Sequence, residues 1–167
     1  MAARSAFKIV PWMSGGRRLG KQIVAAEELK RGTVVWTASL GRASDVSSPI
    51  RTVANSHTIQ VGNGVHLDIS VSSHGGELTQ HSCDPNARLV LDEDHERLSL
   101  ETLKLVPDAE TLTFDYNTSE LMMSSPFECA CGASGCVGTI KGFSSLNKNQ
   151  QERIEHLLLP HVLAMES

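Results

Sequence analysis

Apolar and polar positions alternate with the period of a strand over most of this chain, and only its last stretch follows the period of a helix. In "ETLTFDY", Leu112, Phe114 and Tyr116 alternate with Thr111, Thr113 and Asp115, which predicts a strand. "KQIVAAEELKRGTVVWTASL" predicts two short strands around a turn punctuated by Gly32, and "HTIQVGNGVHLDISV" a hairpin turning at Gly62-Asn63-Gly64. "ARLVL" and "RLSLETLKLV" predict two more strands joined across "DEDHE". Between Ser39 and Ser56 the turn-rich "SLGRASDVSSPIRTVANS" reads as an irregular connection. Near the end, Asn147 with Gln150 three residues on makes a candidate capping box, and Ile154, Leu157 and Leu158 form one apolar stripe. Pro160 should interrupt that helix near Leu159. The pattern predicts a mostly β fold of short strands and small sheets, closed by a C-terminal helix.

Composition narrows the class. A chain of 167 residues, 40% apolar and 20% charged, is long enough to bury one core and reads as one domain. The net charge of −4 weighs against direct nucleic-acid binding. No apolar run reaches the length of a membrane span, and "MAARSAFKIVPWM" lacks the apolar core of a secretory signal. The expected location is intracellular, in cytoplasm or nucleus, where thiols stay reduced.

Four cysteines in that setting point to a metal before they point to disulfides. Cys129, Cys131 and Cys136 crowd into "FECACGASGC", where Gly132 and Gly135 permit sharp turns. Tetrahedral zinc takes four ligands, and thiolates suit it. Cys83, in "QHSCDPN", completes the set if the site is all sulfur. Two disulfides, or four free buried thiols, are the alternatives.

Three phrases then fall into one order: "HSCDPNA" (His81 to Ala87), "ETLTFDYN" (Glu110 to Asn117) and the cysteine triplet with its continuation "GCVGTIKGF". In this order the chain resembles the SET-domain lysine methyltransferases, from roughly Gly20 to Phe143, most specifically in the middle. The resemblance implies a SET-domain fold with a pseudoknot, a zinc-binding post-SET loop and a C-terminal helix. It divides the chain into a SET domain over 1–125, a post-SET zinc loop over 126–143 and a helical extension over 144–167, as one compact unit. It also implies S-adenosylmethionine and zinc as cofactors, and a protein substrate presenting a lysine, a histone among the candidates. So compact a member leaves room for a homodimer.

Residue by residue, Tyr116 matches the family's catalytic tyrosine and is the only tyrosine in the chain. The bland reading makes it a strand tyrosine with its ring in the core. His81 matches the position whose backbone holds the adenine. Phe127 matches an aromatic packed on that adenine, or else simply covers the cysteine loop. Gln80 stands where the family has asparagine. The front Gly-x-Gly of the family reads here as Gly20-Lys21-Gln22, or has slipped to Gly15-Gly16. The tyrosine usual after the second front strand is missing, with Trp36 and Thr37 nearby. Asp84, Pro85 and Asn86 read as turn formers, Asp115 as a structural acceptor, and His57, His66, His74 and His95 as surface or packing residues.

The chemistry implied is an in-line methyl transfer from a sulfonium to an amine. A lysine of pKa about 10.4 is neutral in only about one molecule in 2,500 at pH 7, so the site must favour the neutral amine and hold its line of attack. Two other readings stand beside this one. One is a SET-like scaffold that binds or regulates without methyl transfer. The other is an enzyme whose pocket has turned to a small molecule.

Overall fold

The computed structural model describes residues 5–41, 48–72 and 75–165. His74 and the middle of the Ser39–Ser56 connection lie outside the described residues. At the front, β1 (Phe7–Ser14) and β2 (Arg17–Ala25) form an antiparallel hairpin. Its two-residue turn is Gly15-Gly16, with φ of 54° and 76°, the left-handed pair that a tight hairpin needs. The slipped reading of the glycine motif therefore falls on a hairpin tip.

β3 (Val34–Ser39) does not pair with β2, as the sequence reading of two strands around a turn invites. It pairs with β9 (Arg97–Thr102), which also pairs with β8 (Ala87–Leu91). Both strands lie where the apolar pattern put them, but their partners come from elsewhere in the chain. The alternation works as expected in β9, where Leu98, Leu100 and Thr102 are buried against Leu89 and Trp36. A third sheet sets β6 (Val65–Asp68) between β4 (Ile50–Arg51) and β5 (Thr58–Gly62), with the expected turn at Gly62 to Gly64.

The remaining pairs are short and position the site. β7 (Gln80–His81) runs parallel to β10 (Thr113–Phe114), so two phrases far apart in sequence lie side by side. Asn86 clamps them: its Oδ1 accepts from Thr113 N at 2.9 Å and its Nδ2 donates to Thr111 O at 2.9 Å. It is thus more than a turn former. β10 ends at Phe114, shorter than "ETLTFDY" predicts. The reason is Asp115, whose carboxylate accepts from Asn117 N and caps a 3-10 turn over Tyr116–Thr118. β11 (Phe127–Glu128) and β12 (Thr139–Ile140) pinch the base of the cysteine loop.

The chain closes with helices. α1 (Ile69–Ser72) is a single turn after β6. α2 (Lys148–Ile154) carries the complete capping box of Asn147 and Gln150. A break at Leu158 and Leu159 follows, and Pro160 opens α3 (Pro160–Met165). Leu159 N donates to Thr118 O at 2.9 Å, tying this end to the turn that carries Tyr116.

Candidate active site

The four cysteines converge. Their sulfurs lie within 4.8 Å of one another, with Cys83 Sγ 3.9 Å from Cys129 Sγ, and all four are free thiols. Tetrahedral zinc with bonds of about 2.3 Å spaces its sulfurs about 3.8 Å apart, so the donor set fits. Burial raises the Cys83 thiol, and pushes Cys129 up to about 11. Burial also raises Cys131, but backbone donors from Cys83 and Ala133 outweigh it and hold that thiol at about 6. Full ionisation of such a cluster calls for a cation among the sulfurs.

His81 joins this cluster to Tyr116. Its side chain is 4% exposed, and burial lowers its pKa to about 4, so the ring is neutral. Its Nδ1 accepts from Tyr116 N at 3.1 Å, which leaves the proton on Nε2. Nε2 lies 3.3 Å from Cys83 Sγ and donates to it. A ring donating to one sulfur while holding the neighbouring backbone is the kind of outer partner that orients a metal ligand. The sequence reading gave His81 only a backbone role. What signalled the rest was its place two residues before a cysteine.

Tyr116 is fixed from several sides. Its hydroxyl donates to Thr79 O at 2.6 Å, and Thr79 Oγ1 lies 3.1 Å from the Trp36 Nε1 that donates to it. Burial pushes the phenol up to about 12, so it stays protonated and serves as a donor. Around it stand Phe114 at 4.7 Å, His81 at 5.2 Å and Phe127 at 6.0 Å between ring centroids. Asp115, 2% exposed, accepts from Asn117 N and Nδ2, the structural role expected of it. Asn117 is fully buried, and its Oδ1 accepts from Gly142 N at 3.1 Å. Gly142 has φ 104°, and a Cβ there would meet Leu121 O at 2.5 Å, so only glycine fits this crossing.

Two cavities meet at Tyr116 and Phe127. One, of about 330 Å³, is lined by Trp12, Gln22, Gln80 and His81 together with those two rings. The other, of about 160 Å³, is lined by Ile59, Phe114, Glu77 and Glu120 beside the same two rings. Of the front residues named from sequence, Gln22 lines the first cavity. Gly20 instead pairs with Trp12 across the hairpin, and Lys21 is exposed opposite Pro11. Trp12 escaped the sequence reading because β1 carries Pro11 and no alternating pattern. Glu77 and Glu120 escaped it because a lone carboxylate has no spacing signature.

A family model described as "SET domain" matches residues 20–117. The chain belongs to the SET domain family. A methyltransferase of Aspergillus flavus, flvH, is 30% identical over 105 residues, 63% of this chain and 55% of that protein. A histone-lysine N-methyltransferase, H3 lysine-36 specific, of Mycosarcoma maydis is 32% identical over 79 residues, 46% of this chain and 8% of that protein. The SET chain described here thus spans about half of the first relative and under a tenth of the second. Among solved structures, KRYPTONITE in complex with mCHG DNA and SAH superposes with a TM-score of 0.57 at 21% identity, over 82% of this chain and 30% of that one. That likeness bears on the fold. No helix among the described residues is long and apolar enough to cross a membrane.

Proposed function

We propose that the chain is an S-adenosylmethionine-dependent N-methyltransferase acting on a lysine side chain of a protein. The observation that carries this reading is that two separate cavities share Tyr116 and Phe127 in their linings. A donor in the larger cavity and an amine in the smaller would then face each other across one phenol. The donor supplies an electrophilic methyl carbon. The protein positions the amine, excludes water and presents a protonated hydroxyl beside the line of attack. Gln22, Gln80, His81, Phe127 and Trp12 are the residues assigned to the donor, with Gly20 and Lys21 shaping the strand beside it. Relatives named as histone-lysine methyltransferases, and the SAH in the KRYPTONITE complex, support the cofactor and substrate class. A histone is the first protein to try, in cytoplasm or nucleus, and a homodimer would extend the acceptor surface.

Cys83, from the SET domain assigned to 1–125, and Cys129, Cys131 and Cys136, from the post-SET loop assigned to 126–143, would hold one zinc, with a helical extension over 144–167 following. That ion would fix His81, and through it the backbone of Tyr116.

A second reading, transfer to a small amine, has its own support. The name of the Aspergillus flavus relative specifies no protein substrate, and the acceptor cavity is small. Calorimetry with S-adenosylhomocysteine, followed by incubation of the chain and labelled donor with histones or with alkylamines, separates the readings. Label on histone lysine supports the first and label on amines alone the second. No cofactor binding at millimolar concentration sinks both and leaves a binding scaffold. With transfer established, Tyr116→Phe should slow it at least about tenfold while leaving cofactor affinity within about twofold.

A further inference from the structure

We propose that Glu120, backed by Glu77, is the anionic partner of the acceptor amine, binding it as the ammonium and taking its proton before methyl transfer. The inference rests on the smaller cavity being the acceptor site. Its lining holds two carboxylates, one histidine (His57, at the exposed side) and no lysine or arginine. Cavity chemistry of that sign, walled by the rings of Phe114, Tyr116 and Phe127, suits a cation.

Glu120 sits directly after the turn that carries Tyr116, with its N donating to Tyr116 O at 3.2 Å. It is only 7% exposed and makes no ion pair among the described residues. Its Oε1 accepts from Gln60 N at 2.7 Å, which fixes the carboxylate against β5. That bond explains an acceptor at this position but not a charge, because a glutamine would accept from Gln60 N equally well. Glu77 repeats the puzzle. Its Oε2 is out of solvent and has no hydrogen-bond partner among the described residues. Glu120 is a buried acid and Glu77 holds one oxygen out of solvent, neither with a counter-cation among the described residues, and an ammonium entering the cavity would supply one.

The proton step balances on these groups alone. R–NH3⁺ and Glu120–COO⁻ become R–NH2 and Glu120–COOH, which frees the nitrogen lone pair, and the proton later leaves to solvent through the cavity mouth. Burial raises Glu120 to about 7, which brings it closer to the amine than an ordinary carboxylate stands.

The test uses n-butylamine, which reproduces a lysine side chain from Cβ outward, and 1-butanol as its neutral counterpart. Binding is followed by NMR on the ring of Tyr116, the chain's one tyrosine, with and without S-adenosylhomocysteine. The wild type should prefer the amine at least about tenfold, Glu120→Gln should bring the ratio within about twofold, and Glu77→Gln should lower it by a smaller factor. A ratio near one in the wild type, or a ratio unchanged in Glu120→Gln, overturns the inference. Should Glu120→Gln fail to fold, an unchanged ratio in Glu77→Gln overturns it and a lowered one supports it. Amine preference without any response to S-adenosylhomocysteine would sink the methyltransferase reading and leave the amine site standing. Cofactor binding without amine preference would do the reverse.

Discussion

The two cavities beside Tyr116 are built from different material. The larger one is fixed by a chain of bonds that ends on sulfur: Tyr116 N to His81, His81 to Cys83, and Cys83 among three more thiols. The smaller one is fixed by a bond from main chain to side chain, the Gln60 N of β5 donating to the Glu120 carboxylate, and has no metal ligand in its wall. The first is therefore expected to depend on an ion and the second on ordinary packing and on pH. The contrast is open to attack from either side.

The largest expected effect is on the sulfur side. Cys83→Ser, or removal of the ion with a strong chelator, should abolish stoichiometric zinc and destabilise the fold by several kcal/mol, because ligand binding and folding are one process at such sites. Metal analysis and thermal melts check this. About one zinc per chain retained in Cys83→Ser would break the link between the cysteine cluster and the larger cavity.

The smaller cavity should answer to pH instead. Burial raises Glu120 from 4.5 to about 7, so the folded state holds a proton that the unfolded state has released between those values. Stability from this group is complete below 4.5, falls as pH rises, and is lost above about 7. At about 1.4 kcal/mol per unit the fall is on the order of 3 kcal/mol. Glu120→Gln keeps the acceptor for Gln60 N and carries no charge. It should therefore match the wild type near pH 4.5 and exceed it above pH 7, in denaturant melts run across that window. A variant that is less stable at every pH would show that the carboxylate serves the fold and not the cavity.

The same contrast explains what could be read from the sequence. Cys83, Cys129, Cys131, Cys136, His81 and Tyr116 lie in short phrases whose spacing is chemistry, since thiols close together need a reason. The strands were legible for the same local cause, as in the alternation of Leu98 and Leu100. Pairing was not. β3 finds its partner in β9, some sixty residues later, and nothing in an apolar period says which strand lies alongside. Glu120 stands four residues after Tyr116, but its burial against Gln60 of β5 and its meeting with Glu77 in one cavity lining arise only from folding, so no window of sequence contained their meaning. β1 stayed hidden because Ile9, Trp12 and Met13 are exposed and Pro11 interrupts it, which an edge strand tolerates.

Trp12 gives the smallest and most selective prediction. It is 39% exposed at the rim of the larger cavity, across the hairpin from Gly20, and away from the core. An indole in such a place costs little stability to remove, but it covers whatever occupies the cavity, and aromatic contacts of that kind contribute about 1 kcal/mol. Trp12→Ala should therefore weaken S-adenosylhomocysteine roughly fivefold to tenfold by calorimetry, shift the melting temperature by no more than a degree or two, and leave the preference of the other cavity for butylamine over butanol untouched. An unchanged cofactor affinity would remove the front hairpin from the donor site. A changed amine preference would mean that the two cavities communicate across Tyr116 and Phe127, and that the division between a sulfur-bound side and a backbone-bound side fails at the place where they touch.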